Sequence, residues 1–379
     1  MTYITKNIKK LFILTLLLCG NVALAQDKTI NVGVFKGFGG AVECVEEAYY
    51  SCLIDPDMKV NYITPEQLAT SQIKQYDIII IPGGSGSKQY LDMGGYNRNK
   101  LKSYVSQGGS LMGICAGAYM LSSTPEYSCL SMSGAQAIDI EHDNRGHGLC
   151  KVALSEEGKK IFPELSGNDI AYMMYYEGPV LIPHNSGMPY ETMAVMKSDV
   201  HSEGGAPAGM TTDKPFIIKT NYDKGKVISI VGHPEATPGM QWTIPRLIRY
   251  TLNKKLIPYS AQAVAPNVYG KEIICTEAML KEEKAHYKKL IYGNAEEKLK
   301  ALEYFDKIVS WDAKEWIKGL LFDDDARVKI RTAELIVKCR YLRLQPALSA
   351  AAIAEKDPAT KKTMMKMLTE LNKASAQLQ

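Results

Sequence analysis

The chain has 379 residues, 46% of them hydrophobic and 23% charged, a globular balance that excludes intrinsic disorder and collagen-like repeats. Lysine and arginine number 45 against 41 acids, a formal charge of +4. Three of those lysines, Lys6, Lys9 and Lys10, sit in the N-terminal segment, so the remaining surface gives no charge footing for nucleic acid or anionic lipid. The length fits two domains, each large enough to bury a core.

Residues 1–25 read as a secretory signal. Lys6, Lys9 and Lys10 form a positive start, an apolar run follows from Leu11 to Leu18, and Ala23-Leu24-Ala25 offers a small-residue cleavage site before Gln26. The run is too short to span about 30 Å of hydrocarbon, and no later stretch is long and apolar enough to cross a membrane. The expected location is secreted or periplasmic. Apart from Cys19 the chain carries seven cysteines, Cys44, Cys52, Cys115, Cys129, Cys150, Cys275 and Cys339, which an oxidising compartment would allow to pair. Chain order offers Cys44–Cys52, Cys129–Cys150 and Cys275–Cys339 as pairings. Eight residues of helix rise about 12 Å, beyond disulfide reach, and this counts against the first pair if both ends are helical.

Residues 26–258 alternate short apolar runs with amphipathic stretches. Ile30 to Phe35 predicts a first strand, running into Gly37-Phe38-Gly39-Gly40, and Ala41 to Ser51 predicts a helix. Val60 to Ile63 is a short strand, and Thr64-Pro65-Glu66-Gln67 has the cap, proline and acid of a helix start. Asp77 to Ile81 is continuously apolar, as in a strand buried on both faces, and ends in Pro82-Gly83-Gly84. Asn97 to Ser106 predicts a helix and Ser110 to Ile114 the next buried strand. Residues 213–233 predict two strands around a turn at Asn221 to Gly225, with a closing helix from Pro245 to Leu252. Such alternation predicts an α/β domain with a parallel sheet and helices on both faces.

Residues 259–270 read as a linker. From 271 to 379 the chain is rich in Lys, Glu, Leu and Ala with helical periodicity. A weak repeat places capped amphipathic helices after Asn294, Asp325 and Asp357, with Trp311 to Phe322 and Pro346 to Ala354 as partner helices. The pattern resembles HEAT-type helix pairs. Such a region offers a surface for a protein partner.

The strongest chemical signal is Gly113-Ile114-Cys115-Ala116-Gly117-Ala118-Tyr119. A buried strand running into small residues around one cysteine has the composition of a nucleophile elbow, with the sulfur at a helix N-terminus that favours thiolate. A cysteine nucleophile needs a base and an orienting group. Val227 to Glu235 supplies both: a strand leads to Gly232-His233-Pro234-Glu235, and in extended backbone His233 and Glu235 project to one side. Ala116 and the loop Pro82 to Ser87 offer backbone donors for an oxyanion. All three loops converge on the carboxyl edge of the sheet, where α/β folds bind ligands. Loops from Glu141 to Cys150 and from Tyr172 to Pro183 are expected to shape the pocket. His142, Asp143 and His147 read as a polar loop, and neither metal nor cofactor is expected.

These motifs, with Tyr90 downstream of Pro82-Gly83-Gly84 and with Tyr176-Glu177-Gly178-Pro179, resemble the class I glutamine amidotransferase-like superfamily. They are most similar to the branch named for the N-terminal domain of biotin-protein ligases. The resemblance covers about residues 28–255 and implies a flavodoxin-like fold. It implies Cys115 as nucleophile, His233 as base and Glu235 as its orienter. Gly83, Gly84 and Ala116 would hold the oxyanion, with Tyr90 and Tyr176 beside the substrate. Residues 271–379 do not read as a biotin-ligase catalytic module, so biotin transfer is not implied. Ala116-Gly117-Ala118 after the cysteine follows the biotin-ligase-like branch, so glutamine specificity is not implied. The sequence therefore supports an exported cysteine hydrolase acting on a small amide, peptide or ester, with a non-catalytic binding protein as the second reading.

Overall fold

The computed structural model describes residues 29–141, 145–185, 188–202 and 205–378. Residues 1–25, expected as a secretory signal, and His142 and Asp143 lie outside the described residues.

Five parallel strands form the centre of the main sheet: β1 (Ile30–Phe35), β2 (Met58–Ile63), β3 (Ile78–Ile81), β4 (Ser110–Ile114) and, late in the chain, Gly225–Ile230. In space they run β2-β1-β3-β4 and then Gly225–Ile230, the flavodoxin-like order. β3 is four consecutive isoleucines, all buried, and its stiff β-branched side chains suit a strand covered on both sides. Ile78 and Ile80 join one core and Ile79 and Ile81 the other, because successive side chains alternate across the sheet.

Between the strands lie α1 (Val42–Cys52), a single turn at Pro65–Leu68, α2 (Gly86–Ser106) and α3 (Ala116–Leu121). Thr64 and Gln67 form a reciprocal capping box on the short turn. α2 starts well before the expected Asn97, with a break at Gly94, where φ is 70°. Three glycines among its first ten residues depress helix propensity and hide this half of the helix from periodicity.

The sheet is mixed rather than wholly parallel. The remaining strands are β5 (Ala135–Ala137), β6 (His147–Leu154), β7 (Ala171–Tyr176), β8 (Leu181–Pro183), β9 (Tyr190–Met196), β10 (Pro215–Tyr222), β11 (Gly225–Ile230) and β12 (Ile273–Ile274). The β10–β11 turn is too short for a crossover, so the two strands pair antiparallel. β9, β6 and β12 extend that edge antiparallel, and β7 pairs with β6. β5 and β8 form a separate two-stranded ribbon. Much of the stretch expected as pocket loops is therefore strand. α4 (Glu156–Ile161) follows β6, and α5 (Thr243–Thr251) closes the domain over the face that also carries α1.

The C-terminal region is helical: α6 (Glu277–Tyr292), α7 (Ala295–Ile308), α8 (Ala313–Leu320), α9 (Ala326–Cys339), α10 (Gln345–Ala354) and α11 (Pro358–Asn372). Asn294, Asp325 and Asp357 each accept a first-turn backbone N–H through their side chains. α6 packs on α7, α8 on α9 and α10 on α11, while α7, α9 and α11 stack side by side. One departure is β12, which places Ile273 opposite Leu149 and joins this region to the sheet edge.

The helical region is fastened to the α/β domain through α1. Lys314 reaches Glu47 at 2.8 Å with both side chains buried, and Arg343 bonds Glu46 at 3.1 Å. Ser375 Oγ donates to the Leu53 carbonyl at 2.6 Å, and Gln377 donates to the Asp55 and Met58 carbonyls. One continuous apolar core runs from β1 and β4 into α9 and α11.

All seven cysteines among the described residues are free thiols, so none of the three chain-order pairings forms. Cys44 and Cys52 lie near opposite ends of α1. Cys129 sits in a loop beside Thr124 whereas Cys150 is inside β6, and Cys275 follows β12 whereas Cys339 ends α9.

Arg249 on α5 clamps the sheet edge. Its guanidinium forks onto Asp55 at 2.5 and 2.7 Å, and both side chains are essentially inaccessible to water. Removing one partner strands a buried charge. Arg249→Ala is expected to destabilise the chain by about 3–5 kcal/mol, measured by urea unfolding.

Candidate active site

β4 ends at Ile114, and the chain turns into α3 through Cys115 with φ 51° and ψ −109°. This backbone lies outside the regions that side chains normally adopt, a strain of about 1–3 kcal/mol. It is held in place: the Cys115 N–H donates to the Ile230 carbonyl at 2.8 Å, and α3 presses onto the end of β3. A Cβ on Gly117 would fall 2.0 Å from the Ile81 carbonyl oxygen, so only glycine permits the approach. The turn places the sulfur at the carboxyl edge of the sheet, where its thiol donates to the Tyr176 carbonyl at 3.5 Å.

β11 ends beside β4 and delivers His233 to the same edge. The His233 N–H donates to the Met174 carbonyl at 2.7 Å, and Thr237 Oγ1 donates to the His233 carbonyl at 2.7 Å. Glu235 approaches the ring through a 3₁₀ turn at Pro234–Ala236, not through the expected extended backbone, because Pro234 favours a helical start. Nδ1 of His233 lies 2.8 Å from Glu235 Oε1, with both side chains buried.

Burial alone would lower the imidazole pKa. The charges of Cys115 and Glu235, together with hydrogen bonds to both, outweigh it and hold His233 well above the ordinary histidine value. Oε2 of Glu235 is buried without a hydrogen-bond partner among the described residues, so His233 is the polar partner of this carboxylate. The Trp311 ring lies over His233 with centroids 4.5 Å apart, tilted by 56°, where an aromatic face favours a cationic ring.

These groups border a cavity of about 580 Å³. Cys115, His233, Gly84, Ala116 and Tyr176 all line it. Gly84 has φ 128° and is bridged to Gly40, while Ala116 opens α3. Gly83 is not among the lining residues but lies directly behind them: a Cβ there would fall 2.8 Å from His233 Cε1 and 2.9 Å from Cys44 Sγ. Tyr90 is not among them either. It sits on α2 against the opposite core, with the Arg98 guanidinium stacked on its ring at 3.9 Å. His147 lies on β6 and stacks on Tyr176 at 4.7 Å. No cluster of three potential metal-ligating side chains occurs among the described residues.

Several cavity residues were not picked out from the sequence. Cys44, at the start of α1, faces the cavity. Burial first, then the charges of Glu235 and Cys115, push its thiol pKa up and keep it protonated. Arg145 pairs with Asp139 at 2.8 Å behind the cavity, and Asp139 also takes the Tyr119 hydroxyl and the Val180 N–H. Glu43 comes from α1, and Trp311 and Asp312 come from the helical region. Acidic and aromatic residues at helix starts are common, so no local signal marks these three.

Residues 30–139 match the family described as Biotin-protein ligase, N terminal. The chain is 27% identical over 176 residues to phosphoribosylformylglycinamidine synthase subunit PurQ of Leptospira interrogans, covering 43% of this chain and 72% of that one. It is 32% identical over 110 residues to the probable pyridoxal 5'-phosphate synthase subunit pdx2 of Dictyostelium discoideum, covering 26% of this chain and 44% of that one. Among solved structures, the β-galactosidase of Rahnella sp. R3 superposes with a TM-score of 0.40 at 12% identity, over 63% of this chain and 33% of that enzyme. These matches support a class I glutamine amidotransferase-like fold for the α/β part of the chain, similar to the biotin-protein-ligase N-terminal branch.

The opposing influences on His233 have a measurable consequence. With its folded-state pKa raised, the ring stabilises the fold fully below about pH 6.5, and this contribution fades as pH rises through the raised value. In an NMR titration His233 is expected to stay charged above neutrality, and in Glu235→Gln burial should pull its pKa down. A ring titrating as an ordinary histidine in both proteins contradicts this account.

Proposed function

We propose that the protein is an exported cysteine hydrolase of the amidase type, in which Cys115 is the nucleophile, His233 the general acid and base, and Glu235 the group that orients the imidazole. The observation that carries this reading is the buried His233–Glu235 pair, hydrogen-bonded at 2.8 Å, with His233 and Cys115 lining one cavity at the carboxyl edge of the sheet. The N-terminal segment with its lysines and apolar run supports the exported setting.

The substrate is a small amide, peptide or ester. Cys115 Sγ, as thiolate, attacks the carbonyl carbon, a C–S bond forms, and the electron pair moves to the carbonyl oxygen. The N–H groups of Ala116 and Gly84 are proposed to receive that oxyanion. Collapse breaks the C–N or C–O bond, and imidazolium His233 gives its proton to the leaving group. Neutral His233 then takes a proton from water as the water attacks the thioester. Breaking the C–S bond releases the acid and restores the thiolate–imidazolium pair. Glu235 holds Nδ1 throughout and compensates the ring's charge.

Two measurements test the assignment. A screen of amide, peptide and ester substrates on the full chain should yield an activity that Cys115→Ala abolishes. His233→Ala should lower it by about 10²–10⁴-fold, with accumulation of a Cys115 acyl adduct absent from the Cys115→Ala protein. Iodoacetamide should label Cys115 near neutral pH, and His233→Ala should slow that labelling. Slow, equal labelling of both proteins counts against the catalytic reading and leaves a binding protein that retains an amidotransferase-like pocket.

A further inference from the structure

The cavity has a wall that the α/β domain does not supply. Trp311 and Asp312, at the start of α8, line it opposite Glu43 of α1. The Trp311 ring lies 4.5 Å from His233 and 5.4 Å from Tyr176, centroid to centroid. It therefore packs against both the imidazole and the Tyr176 ring at the wall of the cavity. The segment is held from behind. Lys314 Nζ lies 4.9 Å from the Trp311 ring centroid while paired with buried Glu47, and Arg343 ties Glu315 to Glu46.

Asp312 occupies the N-cap position of α8 yet makes no capping hydrogen bond through its side chain. Ser310 Oγ takes the Ala313 N–H instead, at 3.1 Å. An aspartate at an N-cap normally serves the helix; here the carboxylate is left to the cavity. Asp312 is exposed to solvent while lining the cavity; partial desolvation, and then the like charges of Glu283 and Glu43, raise its pKa, while Lys314 opposes them. Arg145, the guanidinium that borders the cavity among the described residues, is ion-paired with Asp139. Glu43 and Asp312 place two carboxylates on the rim beside the helical region.

We infer that Trp311 and Asp312 are specificity-determining residues of the Cys115 site, admitting a small substrate that carries no negative charge on the part facing the helical region. Trp311 acts by bulk and Asp312, with Glu43, by repulsion of anions. The helical region is then the fourth wall of the site in the same chain. This inference rests on Cys115 being the reactive thiol of the proposed hydrolase.

The test uses alkylation of Cys115 in the full chain, quantified on the Cys115 peptide by mass spectrometry. Iodoacetamide is the small neutral reagent, iodoacetate the small anion and pyrene maleimide the bulky neutral one. Trp311→Ala should raise the pyrene maleimide rate relative to iodoacetamide by about tenfold or more. Trp311→Phe should give a smaller rise and retains packing if the alanine variant unfolds. Asp312→Asn combined with Glu43→Gln should raise the iodoacetate-to-iodoacetamide ratio by about fivefold at low salt, with the gain shrinking as salt is added. If Cys115 reacts readily but both ratios stay within about twofold of the native chain, the inference is overturned and the catalytic reading stands. If iodoacetamide fails to label Cys115 in any variant, both are overturned.

Discussion

The constraint on which this molecule is organised is the turn at Cys115. A buried strand stops, the chain adopts a positive φ at a residue with a side chain, and α3 begins against the end of β3. Strain of this kind persists only when surrounding contacts over-determine it. Here they come from two neighbouring strands: the Ile230 carbonyl takes the Cys115 N–H, and the Ile81 carbonyl excludes any side chain at Gly117. The same strands then deliver the rest of the site, since β11 continues to His233 and β3 to the glycines of the next loop. The parallel centre of the sheet aligns these carboxyl ends, and the antiparallel extension closes one side through Tyr176.

The electrostatics follow from burial. A histidine with almost no access to water is ordinarily neutral. Two acidic partners reverse this, and a nearby indole face adds to the preference for charge. Cys44, also bordering the cavity, stays protonated because burial and the charges of Glu235 and Cys115 outweigh the opposing charge of Lys314.

The helical region changes its meaning once it is packed. By itself it is a set of amphipathic helices with a free surface. Docked on α1 through Lys314, Arg343, Ser375 and Gln377, it shares a core with the sheet and brings Trp311 and Asp312 to the cavity. The buried Lys314–Glu47 pair is specific in geometry, since a misplaced helix would leave two buried charges without partners.

Much of the fold was legible in the residues. The isoleucine run of β3, the strand before Cys115 and the hairpin at Asn221 to Gly225 announce themselves through short-range pattern, which depends on neighbours in sequence alone. The nucleophile turn and the Gly-His-Pro-Glu segment were legible for the same reason, because tight turns demand small or rigid residues at set positions. The sequence does not reveal β9, whose Met- and Glu-containing stretch becomes a strand by pairing with β10, nor the glycine-diluted first half of α2. Tyr90 was expected beside the substrate, but the direction its side chain takes depends on Arg98 and the opposite core. What the sequence determined is the local chemistry: a cysteine at an elbow, a histidine after a strand, caps at helix starts. Only the tertiary structure decided which of these meet, that the carboxylate reaches the imidazole through a 3₁₀ turn, and that a distant tryptophan and aspartate wall the site. Such meetings are set by packing and buried charge between remote segments, and no periodicity along the chain encodes them.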